Sequence, residues 1–197
     1  MVSSLVILLG SISLCLSFLY ITLKQDIWLI FNWHPLLMTL YFTFHTYAIS
    51  RLQKPKNKAN KERSVILHQL FHLISVVLQL LGFIAVYYHK FHRGAQHFTS
   101  WHGFLGLVVI LSTFPVIAFG SFSIYFPNVL DKPMIKKAIY FHRMFGYLLY
   151  LLLCITYITG LQSSWLERII GPHAWMFVLL ALSILSLLYR VNIKKLI

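Results

Sequence analysis

The sequence predicts an all-helical membrane protein with six spanning helices, of which helices two to five form a central bundle. Three observations predict it. Of the 197 residues, 59% are hydrophobic and only 11% are charged, whereas a soluble domain carries roughly a quarter charged residues. That composition excludes a water-soluble globule and, equally, a disordered chain. Six apolar stretches come close to the roughly 20 residues that a helix needs to cross a hydrocarbon core of about 30 Å. None of these stretches alternates polar and apolar residues with the period of two expected of barrel strands.

The first stretch, Leu5–Leu23, lacks a basic leading region and has a long apolar run, so it reads as a first spanning helix rather than a cleaved signal. Cleavage would leave five spans with the same topology. The others are Ile27–Ile49, Val65–Tyr88, Phe98–Phe122, Ala138–Leu161 and His173–Tyr189, the last being the shortest. No Asp, Glu or Lys falls inside them, and the one Arg, Arg143, lies near an end. The residues left over are too few for a separate soluble domain, so residues 1–197 read as one domain with its core at 27–161. Cys15 and Cys154 both sit in apolar runs, and no disulfide framework follows.

The formal charge is +13, from 17 Lys+Arg against 4 Asp+Glu. Sorted by loop, 13 basic residues fall on one side (Arg51 to Arg63, Lys132 to Arg143 and Arg190 to Lys195) and 4 on the other (Lys24, Lys90, Arg93 and Arg168). The positive-inside rule makes the first side cytosolic and puts both termini there. The excess charge is then a topology signal at a lipid surface, and no nucleic acid is needed to explain it.

Ten histidines remain, and ionisable residues within spans are costly enough to signal function. His34 and His102 lie roughly 10 Å and 6 Å inside the outer ends of spans two and four, at about 1.5 Å per residue. His68 and His142 lie roughly 5–6 Å inside the inner ends of spans three and five. Each middle helix thus carries one histidine, giving an outer pair, His34 with His102, and an inner pair, His68 with His142. Two imidazoles at one depth in a bundle can hold a haem iron from both faces. Two such sites would carry electrons across the bilayer. Histidines that merely bridge helices are the plain alternative for any one of them. Gly103 and Gly106 beside His102 leave room for a macrocycle, or for a close helix contact. His72, one turn past His68, is a rival ligand, and His45 is a packing or hydrogen-bonding residue near the inner site. His89, His92, His97 and His173 face solvent, with His89 and His97 candidates for an outer substrate site.

Four segments resemble the cytochrome b561 family in order and register. They are Phe31–Met38 (FNWHPLLM), Arg63–Leu70 (RSVILHQL), Ser100–Leu107 (SWHGFLGL) and Tyr140–Leu148 (YFHRMFGYL). The histidines are spaced 34, 34 and 40 residues apart. The wording is closest to the family's short endomembrane branch. The resemblance implies two haem b groups per chain, one held by His34 and His102 on the non-cytosolic side and one by His68 and His142 on the cytosolic side. It implies a transmembrane oxidoreductase that takes electrons from cytosolic ascorbate and reduces monodehydroascorbate radical or ferric iron on the lumenal side. Arg63 occupies the position of a basic residue that meets ascorbate; His89, Lys90 and His97 fall where outer substrate residues are expected. It also implies a homodimer. The ending Lys194-Lys195-Leu196-Ile197 resembles a dilysine retrieval signal, which implies the endoplasmic reticulum or another endomembrane.

Two other functions compete. A haem-bearing anchor for a dehydrogenase would need two ligands on each helix, and only His45 hints at that. A metal transporter using histidine ligands would need intramembrane carboxylates, whereas Asp26, Glu62, Asp131 and Glu167 lie in loops or at helix ends.

Overall fold

The computed structural model describes residues 2–53, 57–126, 129 and 131–190. Lys54, Lys56, Lys194 and Lys195 lie outside them, and with them the dilysine ending. The described residues form seven α-helices and one 3-10 turn, with no strand among them. The helices are α1 (Val2–Lys24), α2 (Trp33–Arg51), α3 (Lys58–His92), α4 (Trp101–Tyr125), α5 (Lys132–Leu161), α6 (Ser164–Ile170) and α7 (Ala174–Arg190). They fall into two compact units: α1, α2, α3, α6 and α7 in one, α4 and α5 in the other.

In the first unit α1 packs on α7 and α2, and α2 packs on α3. Small residues allow the α1–α7 approach. Ser11 donates to Ser183 Oγ at 3.3 Å, and a Cβ on Gly10 would lie 2.6 Å from that same oxygen. Helix α3 is inside-out relative to a soluble helix. Ile66, Leu70, Leu73, Val77, Leu81 and Ile84 form one outward stripe at three- and four-residue steps, while Ser75, Gln79, Gly82 and Ala85 are buried. An apolar stripe turned outward against a small and polar interior suits lipid as the surrounding solvent. At 35 residues, α3 is about 50 Å long at ~1.5 Å per residue, longer than a bilayer core of about 30 Å.

The helices start at different places from the apolar runs. The second run begins at Ile27, yet α2 begins only at Trp33, after a 3-10 turn at Ile30–Asn32. Asp26 and Asn32 cause the break by competing for backbone groups. Trp28 N donates to Asp26 Oδ1 at 3.0 Å, Asn32 Nδ2 donates to the Asp26 carbonyl at 2.9 Å, and Thr22 Oγ1 donates to the Asn32 carbonyl at 3.1 Å. Pro35 is tolerated because it is the third residue of α2, where the missing N–H has no intrahelical partner. Helices α3 and α5 begin before their apolar runs, at Lys58 and Lys132, because helical propensity continues past the hydrophobic boundary. Asn57 caps α3 by accepting from Asn60 N at 2.8 Å, and Asp131 accepts from Met134 N at 2.7 Å ahead of α5.

Helices α3, α4 and α5 are long and apolar enough to cross a membrane; α6 and α7, bent by 117°, make a fourth candidate if they form one broken span. The bend sits at Gly171, whose φ of 66° suits glycine. His173 ties it down rather than facing solvent. Its Nδ1 lies 2.6 Å from the Gly171 carbonyl oxygen, and its Nε2 lies 2.7 Å from the carbonyl oxygen of Leu161, the last residue of α5.

In the second unit Ser100 caps α4, accepting from Gly103 N at 3.1 Å. Phe104, Leu111, Phe114 and Phe122 on α4, and Phe141, Phe145, Leu148 and Ile155 on α5, point outward. Val109, Ile110 and Thr113 of α4 and Leu149, Leu153 and Thr156 of α5 are buried.

Candidate haem-ligand histidines

His34 and His102 are each the second residue of a helix, α2 and α4. His68 and His142 are each the eleventh, in α3 and α5. His34 thus sits one residue inside its helix and not the seven that the apolar run implies. The correction follows from the turn at Asp26–Asn32. All four rings are half-buried.

Each Nδ1 meets a backbone carbonyl of the other helix in its own unit. His34 Nδ1 lies 2.8 Å from the Gly82 oxygen on α3, and His68 Nδ1 lies 3.1 Å from the Ala48 oxygen on α2. His102 Nδ1 lies 2.9 Å from the Thr156 oxygen on α5, and His142 Nδ1 lies 2.9 Å from the Val116 oxygen on α4. A carbonyl only accepts, so each Nδ1 carries the proton and donates. That places the lone pair on Nε2, the tautomer that coordinates a metal through Nε2. A second hydrogen bond of this kind is what orients metal-binding imidazoles and raises their basicity.

The four contacts share one register. Ala48, Gly82, Val116 and Thr156 each stand fourteen residues beyond the histidine of their own helix. In each pair, the histidine of one helix therefore binds the carbonyl about four turns past the histidine of the other.

Two glycines clear space for the rings in the second unit. A Cβ on Gly160 would lie 2.8 Å from His102 Cε1, and one on Gly120 would lie 2.8 Å from His142 Cε1 and Nδ1. Any side chain there would displace the imidazole. Gly103, by contrast, faces Ser100 and Phe98 rather than His102: its Cβ would lie 3.3 Å from Ser100 Oγ. Gly106 faces Thr156 at 3.9 Å.

The remaining candidates sort less tightly. Arg63 is exposed on α3, five residues before His68. His89 packs on Phe31 at 5.2 Å between ring centroids; Phe31 also stacks on His34 at 6.1 Å and meets Trp165 edge-on at 5.3 Å. Lys90 Nζ donates to the Gln96 carbonyl at 3.0 Å, and His97 stacks on Tyr87 at 4.4 Å. Phe31 thus links His89 to one of the four histidines through a shared ring. Phe31 and Trp165 were not singled out in the sequence, since aromatic residues near a span end are common. Among the described residues no three His, Cys, Asp or Glu side chains gather into a metal cluster.

Long apolar helices with half-buried imidazoles, each oriented by a carbonyl, define a multi-pass helical membrane protein. Residues 33–167 match the model of the eukaryotic cytochrome b561 family, and the chain belongs to that family. It is similar to transmembrane reductase CYB561D2 of Bos taurus, 28% identical over 165 residues, 80% of this chain and 72% of that protein. It is also similar to the probable ascorbate-specific transmembrane electron transporter 2 of Oryza sativa subsp. japonica, 29% identical over 158 residues, 75% of this chain and 65% of that protein. A putative transmembrane ascorbate-dependent reductase, a CYB561 homolog of Caenorhabditis elegans, is 26% identical over 145 residues, 68% of this chain and 54% of that protein.

The family binds b-type haem, and the residues present fit that group. The donor set is imidazole in the coordinating tautomer, and glycines seat the rings where side chains would displace them. A zinc site would instead need three or four clustered protein ligands.

Proposed function

We propose that this chain carries electrons across a membrane between ascorbate on the cytosolic side and monodehydroascorbate radical or ferric iron on the other. The observation that carries the reading is the common register of His34, His68, His102 and His142, each with Nδ1 donating to a carbonyl fourteen residues past the neighbouring helix's histidine. Six spans cross the bilayer, both termini are cytosolic, and the middle four helices form one bundle around two haem b groups. His34 and His102 hold the non-cytosolic group; His68 and His142 hold the cytosolic one. The equivalent positions of the members of each pair along their helices support this pairing.

Haem b, when bound, supplies a one-electron ferric/ferrous couple whose potential depends on its surroundings. The chain does the rest. Its carbonyls keep each imidazole proton on Nδ1, and its apolar outward faces anchor the helices in lipid. Arg63 and its basic neighbours attract the ascorbate anion. On the outer side, His89, Lys90 and His97 line the acceptor site, with Phe31 bridging His89 to His34. The protein resides in the endoplasmic reticulum or another endomembrane, as a homodimer.

The test is a sided one. Purified protein is reconstituted into vesicles that hold a ferric chelate, and ascorbate is added outside. Ferrous iron should form inside, and Arg63→Ala should slow its formation in vesicles oriented with the basic face outward. Vesicles whose trapped ferric iron stays oxidised would remove the electron-transfer assignment.

A further inference from the structure

We infer that His45 is a positioning residue for His68, acting through His72 to fix the plane of the inner imidazole. The inference rests on the assignment of His68 as a haem ligand and goes beyond it.

Four rings form a row in the first unit. Tyr41 and His45, one turn apart on α2, have centroids 5.5 Å apart with planes at 73°. His45 meets His72 of α3 at 4.5 Å and 81°. His72 meets His68, one turn away on α3, at 4.4 Å and 81°. His72 is therefore gripped edge-to-face from both sides. Tyr41 is 1% exposed and His45 4% exposed, so the far end of the row is fixed in the packed interior between α2 and α3.

The hydrogen bond to Ala48 defines one point of the His68 ring. A further restraint on the plane of the ring limits the rotation that this bond and the Cβ–Cγ attachment leave. The edge-to-face contact with His72 supplies it, and His45 holds His72 in place. The matching positions of the outer site in the same helix pair carry different residues. One turn past His34 stands Met38, and the position matching His45 on α3, eleven residues past its histidine, is Gln79. The inner imidazole is braced by histidines of α2 and α3 at these positions, whereas His34 stacks on Phe31 in the turn ahead of α2. An ionisable side chain buried at this depth is costly, and bracing a ligand accounts for its presence.

Ligand orientation tunes a bound metal, and the planes of axial imidazoles set the g anisotropy of a low-spin ferric haem. The experiment compares His45→Phe, which keeps a flat ring, with His45→Gln, which does not, in full-length haem-loaded protein. Each haem's EPR g-max and midpoint potential are recorded, the inner signal being the one that His68→Ala removes. His45→Gln should shift the inner g-max and leave the outer one in place, and His45→Phe should return it toward wild type. His72→Met, which copies the outer site, should also shift the inner g-max and serves if His45→Gln does not fold. An inner g-max unmoved by His45→Gln or His72→Met, a shift from His45→Phe as large as from His45→Gln, or a shift on the outer haem would overturn the inference. If His68→Ala keeps both haems, the ligand assignment fails instead.

Discussion

One turn past its histidine, each helix of the α2–α3 pair carries a large side chain, Met38 or His72; the α4–α5 pair carries Gly106 and Gly146 there. The pairs also differ around the accepting carbonyls. In α2–α3 these belong to small residues, Ala48 and Gly82, and a Cβ on Gly82 would lie 3.2 Å from Met38 Cε and 3.3 Å from Leu37 Cβ. In α4–α5 they belong to Val116 and Thr156, and glycine comes one turn later, at Gly120 and Gly160, against the imidazoles themselves. The register is shared, but glycine serves the helix approach in one pair and the ring seat in the other. A carbonyl-to-imidazole contact needs either close backbones or an open socket, and each pair supplies one of these.

The most damaging changes should remove the ligands. His102→Ala should lose the outer haem and His68→Ala the inner one, each halving the haem-to-protein ratio measured by pyridine haemochrome. If His72→Ala empties the inner site while His68→Ala does not, the shared register is wrong. Next in size come the sockets. Gly160→Val should displace His102 and deplete the outer haem, whereas Gly120→Val should deplete the inner, as read from haem content and the split of the reduced absorption band. Full haem content in both variants would mean that the glycines do not seat the rings.

Smaller effects should follow where glycine serves only packing. Gly82→Ala should change stability by no more than about 1–2 kcal/mol, overpacking against Leu37 and Met38 opposing the gain in helix propensity, as read from the thermal midpoint, with both haems retained. Loss of the outer haem in this variant would erase the distinction between the pairs. Smallest is the cap: Ser100→Ala should cost about 1 kcal/mol, seen as a lower unfolding midpoint.

The helical class, the family and the four spaced histidines were legible because composition and residue type carry them. The apolar run at Ile27–Ile49 concealed the break before Trp33, since hydropathy does not register the hydrogen bonds of Asp26 and Asn32. The early start of α3 was hidden for the opposite reason: Lys58–Arg63 is too charged to count as a span, yet it is helical. The carbonyl acceptors could not be read, because every residue has a carbonyl and only cross-helix register selects one. The same holds for the row from Tyr41 to His68, whose members come from two helices. His173 was placed in solvent on its position before an apolar run, whereas the bend at Gly171 turns it onto two carbonyls.

If the four equivalently held histidines make two bis-imidazole haem sites, the purified protein carries their signature. The measurement is the absorption spectrum and haem stoichiometry of that protein before and after ascorbate. Two six-coordinate b-type haems per chain, both reducible by ascorbate, should be found. One haem, none, or a five-coordinate spectrum would contradict the two-site assignment.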